Sequence, residues 1–162
     1  SMKKSWTCSC IQCLKKLLIR NLQNNMKLTV GSLFSGIGGF EIGFEKVGFK
    51  TKWFIEKDLY CQAILKKNFP SVPIYGDITT LDFNKLNKVD ILVGGFPCQP
   101  HSTANNRRQG ATDYRDLWSE YYRAIQFFRP KWIVIENVKG LHTSNRGSYF
   151  GKILFLMAFC LY

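Results

Sequence analysis

The sequence predicts an α/β protein built on a parallel, doubly wound sheet. From Lys27 onward, short apolar runs alternate with stretches of helical spacing, the pattern of repeated βαβ units. The runs end in glycines or acids, at Gly36, Glu56, Asp77, Gly94 and Glu136, and the carboxyl ends of such strands are where open α/β sheets bind ligands. A hydrophobic fraction of 46% over 162 residues suffices for one packed core and leaves little room for a second domain.

The elements follow in order. Leu28 to Phe34 is a strand-like apolar run that ends in Ser35-Gly36-Ile37-Gly38-Gly39. Phe40 to Val47 has helical spacing and stops at Gly48. Trp53 to Ile55 makes a second short strand, and a helix from Asp58 to about Asn68 is terminated by Pro70. Val72 to Tyr75 is a third, weaker strand before Gly76-Asp77, and Val89 to Val93 is a fourth before Gly94-Gly95. The polar segment Ser102 to Asp113 reads as a mobile loop. Leu117 to Phe128 is a helix with an aromatic face, closed by Pro130, and Lys131 to Ile135 is the fifth strand. After a loop through Gly147, Tyr149 to Leu161 is the next helix. Complete sheets of this kind usually hold six or seven strands, so the pattern predicts a sheet truncated after the fifth strand and the helix that follows it.

The net charge of +12 favours an anionic partner such as nucleic acid. Residues 1–25 carry Lys3, Lys4, Lys15, Lys16 and Arg20 and no acid, which leaves +7 for the rest. Ser1-Met2 reads as an expression scar, and Met26 as a candidate start of the functional unit. Residues 1–26 are therefore expected to be a basic, cysteine-containing appendage and residues 27–162 a partial catalytic domain. Cys10 to Leu22 is amphipathic, without the apolar length of a membrane span, and Lys15 and Lys16 break any signal-peptide core. The six cysteines show no disulfide-framework spacing and suit a reducing cytosol, so a cytoplasmic protein (nuclear in a eukaryote) is expected. Cys8, Cys10 and Cys13 lack a nearby fourth ligand, and no metal site is predicted.

Several strand ends carry chemistry. Glycines in the first strand-to-helix turn allow close approach of a cofactor and tolerate positive φ, although a tight turn in a nucleotide-free domain has the same composition. Glu56 lies 20 residues after Gly36, the spacing at which an acid meets the ribose hydroxyls of an adenosine cofactor. Gly38 is followed at once by Gly39, and Glu41 stands where a dinucleotide fingerprint has its third glycine; this suits an adenosyl cofactor without phosphates. Asp77 can accept a hydrogen bond from an adenine amino group, or simply serve its own turn. Cys98 follows Gly94-Gly95-Phe96-Pro97, a stiff segment that presents a thiol at the sheet's carboxyl edge. Glu136 would face the same crevice from the neighbouring strand, where desolvation at the end of an apolar strand would favour its proton-donating form, although a solvated strand-end charge has the same sequence context.

These residues, taken together, resemble the DNA (cytosine-5)-methyltransferases over about Lys27 to Tyr162. The matching segments are Phe34-x-Gly36-x-Gly38-Gly39, Glu56, Gly76-Asp77-Ile78, Gly94-Gly95-Phe96-Pro97-Cys98-Gln99, Arg115-Asp116-Leu117-Trp118 and Glu136-Asn137-Val138, in family order. The resemblance implies a Rossmann-like fold that binds S-adenosylmethionine through Phe34, Gly36, Gly38, Gly39, Glu56, Asp77, Ile78 and Leu117. It implies that Cys98 adds to C6 of a cytosine flipped from duplex DNA while Glu136 hydrogen-bonds N3. Pro97, Gln99 and Asn137 would support that segment, with Asn137 orienting it, and Arg107 and Arg108 would contact DNA phosphates. His101 departs from the aromatic or apolar residue of many members. The family's Gln-x-Arg-x-Arg motif, target-recognition region and returning final helix have no counterpart here. The expected activity is therefore cytosine-5 methylation of double-stranded DNA. The alternative is a catalytically incomplete fragment, or one subunit of a split enzyme that binds S-adenosylmethionine and needs a second chain. Two rivals fit poorly: a zinc deaminase lacks its His-x-Glu, and a nicotinamide enzyme lacks its glycine spacing.

Overall fold

A computed structural model of the chain describes residues 27–97, 117–138 and 140–159. All five strands pair in parallel in the order β3-β2-β1-β4-β5. They are β1 (Thr29–Leu33), β2 (Lys50–Ile55), β3 (Ile74–Tyr75), β4 (Ile91–Gly94) and β5 (Trp132–Ile135). The order reverses beside β1, so the chain winds outward in both directions, as the alternation of strands and helices predicted. Expected neighbours β4 and β5 are paired, with Gly94 opposite Ile135.

Helices α1 (Gly39–Lys46) and α2 (Leu59–Asn68) cover one face of the sheet. Phe44 packs there with Val30, Ile91 and Val93, and Leu65 and Phe69 pack with Phe54. The other face carries α3 (Trp118–Phe128) and α5 (Ser148–Phe159). Tyr121, Ile125, Phe128, Tyr149 and Ile153 join Leu33, Trp53, Ile55 and Leu92 in the larger core.

The differences from the sequence expectations have local causes. Strand β2 begins at Lys50, three residues before the apolar run, because the Lys50 N–H donates to the Leu28 carbonyl at 2.9 Å. A bulge between Val30 and Gly31 then sets Trp53 opposite Gly31. Any side chain on Gly31 would collide with the Trp53 indole, which is why a strand interior holds glycine. Strand β3 is only two residues, since Val72 turns back to the Phe69 carbonyl and Pro73 has no N–H to pair. Asp58 is the N-cap of α2, accepting from the Cys61 N–H at 2.8 Å, and not its first residue. The stretch read as a loop before the last helix contains a short helix α4 (Gly140–Thr143) and a 3-10 turn over Ser144–Gly147. None of the helices in the described residues is long and apolar enough to cross a membrane.

Candidate functional site

Three strand ends meet at one edge of the sheet around the β1–α1 turn. Phe34 and Gly36 both take left-handed backbone angles, with φ of 51° and 54°. Phe34 accepts a conformation that costs a non-glycine residue energy, and its ring stacks on Tyr121 of α3 at 6.3 Å. Gly38 also has positive φ, at 87°, and a β-carbon there would lie 2.9 Å from Leu65 and Phe69. Gly36 and Gly39 face open space, with nothing within 4 Å of where a β-carbon would be. Gly39 thus needs its small size neither for packing nor for a left-handed φ. What it does provide is an uncovered backbone at the start of α1.

Glu56 leaves the end of β2 and reaches across to this turn. Its Oε2 accepts the Gly36 N–H at 2.7 Å, and its Oε1 accepts the Asp58 N–H at 2.8 Å. Its own carbonyl holds the Gln62 side chain at 2.6 Å. The carboxylate is therefore fixed in position by backbone donors on both sides. Among the described residues, one acceptor position per oxygen remains, enough for two vicinal hydroxyls.

Asp77 follows the end of β3. Its Oδ1 accepts both the Thr79 N–H at 3.0 Å and the Thr79 hydroxyl at 2.8 Å, while Lys57 Nζ lies 2.7 Å from Oδ2. The Lys57 ammonium, helped by the Thr79 donors, lowers the Asp77 pKa to about 2. Among the described residues, the turn role and a free acceptor are thus both present. Ile78 is buried in the core. Arg123 of α3 holds this segment from below, donating to the Ile78 carbonyl at 2.5 Å and sitting 4.0 Å over the Phe83 ring. Leu117, half-buried, is the residue before α3.

The β4 end carries Gly94-Gly95-Phe96-Pro97. A side chain on Gly94 would strike the Leu33 carbonyl, and one on Gly95 would meet Glu136. Phe96 is buried against Trp118 and Tyr121, with centroids at 5.4 Å and 6.0 Å. The Asn137 side-chain amide donates to the Phe96 carbonyl at 3.1 Å. The backbone leading into Pro97 is thus tied to the β5 end. Glu136 is exposed; it sits one residue past the strand, at the open rim and not in the apolar layer. Cys98, Gln99, Arg107 and Arg108 lie outside the described residues, as do His101 and residues 1–26.

Sequence reasoning missed Lys57, Arg123 and the role of Glu41. Lys57 and Arg123 carried no motif, and a charge next to Glu56 or on a helix reads as a solvated face. Glu41 is only 1% exposed, and neither carboxyl oxygen makes a hydrogen bond among the described residues. Burial raises its pKa. Where a dinucleotide site would have glycine, a buried carboxyl packs α1 onto the sheet.

Comparison with known proteins agrees in fold and in sequence. A family model described as C-5 cytosine-specific DNA methylase matches residues 28–162. The Type II methyltransferase M.BsuFI of Bacillus subtilis is 38% identical over 129 residues, covering 80% of this chain and 31% of the relative. M.PspPI of Psychrobacter sp. (strain TA137) is 46% identical over 118 residues, 71% of this chain and 28% of the relative. Among solved structures, a prophage-encoded protein from E. coli described as a DNA modification methyltransferase superposes with TM-score 0.65 at 28% identity, over 81% of this chain and 38% of that one. A Spodoptera frugiperda DNMT2 mutant shares the fold with TM-score 0.61 at 23% identity, over 82% of this chain and 41% of that one. The chain spans about a third of the length of the two curated relatives.

Proposed function

The chain belongs to the C-5 cytosine-specific DNA methylase family, and from that premise we propose that it binds S-adenosylmethionine and carries the nucleophile for methylation of cytosine C5 in duplex DNA. The observation that carries the reading is the Glu56 carboxylate, fixed by the Gly36 N–H at 2.7 Å and the Asp58 N–H at 2.8 Å, with one acceptor position left on each oxygen among the described residues. The residues present fit an adenosyl ligand. Glu56 would take the ribose hydroxyls, Asp77 the adenine amino group, and the bare backbone of Gly36 and Gly39 would admit close contact without the phosphate-binding spacing of a dinucleotide site. Phe34, Gly38, Ile78 and Leu117 would complete the pocket.

When bound, S-adenosylmethionine supplies an electrophilic methyl group. The chain's own residues prepare the base. The Cys98 thiolate adds to C6 of cytosine, the C5–C6 double bond opens, and C5 gains nucleophilic character. Glu136 shares a proton with N3 and stabilises the charge that develops there. After C5 has gained its substituent, a base removes the C5 proton and the C6–sulfur bond breaks, which restores the ring. Asn137, through the Phe96 carbonyl, orients Pro97 and the cysteine that follows, and Gln99 supports that segment. The cytosine lies within the base stack and must be flipped out. Arg107 and Arg108 would hold the phosphates of double-stranded DNA.

A second reading is favoured by the span of about a third of the relatives' length: the chain binds the cofactor and needs a further polypeptide for DNA binding and turnover. One experiment separates them. The full chain is incubated with S-adenosylmethionine and a pool of duplexes bearing 5-fluorocytosine in varied contexts. Fluorine cannot leave as a proton does, so turnover traps the enzyme on DNA. An adduct mapped to Cys98, absent from Cys98→Ala, establishes catalysis by this chain. Cofactor binding by calorimetry without an adduct establishes the second reading. Absence of both sinks the proposal.

A further inference from the structure

Consecutive residues at the end of β2 reach to opposite neighbours. Glu56 engages Gly36 after β1, and Lys57 engages Asp77 after β3. The second contact is not needed for the local fold. The turn at Asp77 is already closed through Oδ1, which takes both Thr79 donors. Nor is the ion pair a useful source of stability. The Lys57 side chain is 79% exposed, and an exposed pair pays in side-chain entropy about what it gains in attraction.

What Lys57 does change is the state of Asp77. A carboxylate has about four acceptor positions. Thr79 occupies both on Oδ1, and Lys57 occupies one on Oδ2. Among the described residues, the remaining open position is on Oδ2. Lys57 holds that oxygen in one orientation, and charged acceptors make the stronger hydrogen bonds. Without the ammonium, rotation about the Asp77 side chain is limited by Thr79 alone, and its pKa moves back towards that of an ordinary carboxylate.

We propose that Lys57 is a positioning residue for adenine recognition, which sets Asp77 Oδ2 as the acceptor for the exocyclic amino group of the adenosyl ligand. The inference rests on the cofactor reading above. It makes Lys57 a determinant of base preference, acting through Asp77 and not through the reacting groups.

The test compares S-adenosylhomocysteine with S-inosylhomocysteine, which carries an oxo group in place of the amino group. Calorimetry is run on the full chain and on Lys57→Met, Lys57→Arg and Asp77→Asn. The unmodified chain should prefer the adenosyl ligand by roughly tenfold or more, as expected when a charged acceptor loses its donor. Lys57→Met should bring that preference most of the way to the Asp77→Asn value with an unchanged melting temperature, and Lys57→Arg should restore it. In Lys57→Met the remaining preference should also begin to fall, on acidification, at a higher pH than in the unmodified chain, as Asp77 takes up its proton sooner. A Lys57→Met variant that keeps the full preference, or weakens both ligands equally, overturns the role of Lys57 and leaves the cofactor reading intact. Failure of the unmodified chain to bind S-adenosylhomocysteine overturns both.

Discussion

The Glu136 carboxyl rests against the backbone of Gly95. A β-carbon on Gly95 would lie 2.6 Å from Glu136 Oε2 and 3.2 Å from its main-chain oxygen. The absent side chain of one strand end is what gives the acid of the next its place.

Gly95→Ala should therefore act on Glu136 more than on the fold. The carboxyl can swing away, since it is exposed, and a displacement of about an ångström costs on the order of 100-fold in a positioned reaction. Trapping on fluorinated DNA should fall by about that factor, while S-adenosylhomocysteine affinity stays within about twofold because the β1–α1 turn is untouched. Loss of cofactor binding in parallel would show that Gly95 serves the fold generally.

Tyr121 should matter to stability through its hydroxyl and through its ring. The hydroxyl donates to the Val134 carbonyl at 3.2 Å, and the ring lies between Phe34 and Phe96. Tyr121→Phe should cost about 1 kcal/mol by urea denaturation, and Tyr121→Ala about 3–5 kcal/mol. Equal losses in the two variants would contradict the separate role of the ring.

Glu41 predicts a pH dependence of one sign. Burial raises its folded pKa above 4.5, the ordinary value, so the folded state binds the proton more tightly than the unfolded chain. Its contribution is fully present below that ordinary value and is lost as pH rises through the raised folded value. Glu41→Gln removes this loss. Melting curves of the variant and the parent should converge near pH 4 and separate in the variant's favour by pH 8. A constant gap across that range would mean that the carboxyl is charged in the fold.

Asp90 predicts the opposite sign. Its carboxylate accepts the Thr29 N–H at 3.0 Å and the Thr29 hydroxyl at 2.8 Å and pairs with Lys131 at 2.7 Å. Burial alone would raise its pKa, but Lys131 and the Thr29 donors together outweigh it and lower the value. The stabilisation is present above the unfolded pKa and lost as pH falls through the depressed folded one. Asp90→Asn should lower the melting temperature at pH 7, and the difference should shrink in acid. Asp90 precedes β4, at the end of the sheet away from the site, so cofactor affinity should not change.

The legible parts of this protein were those written in local pattern. The run Leu28–Phe34 and its glycines announced β1 and its turn because burial on both faces demands continuous apolar residues. Lys50 to Lys52 hid the start of β2, since two lysines flank a single buried threonine and only pairing with β1 makes the segment a strand. The exposure of Glu136 was not legible, because an apolar strand before it says nothing of whether the next residue emerges at an open rim.

From sequence alone came the alternation of strands and helices and the identity of the residue at each strand end, for both follow from spacing along the chain. Tertiary structure alone decided which ends touch. Glu56 on Gly36, Lys57 on Asp77, Asn137 on the Phe96 carbonyl and Glu136 against Gly95 join residues that are 20 to 41 positions apart. Each depends on strand order and register, and those are set by the packing of the whole sheet between its helices.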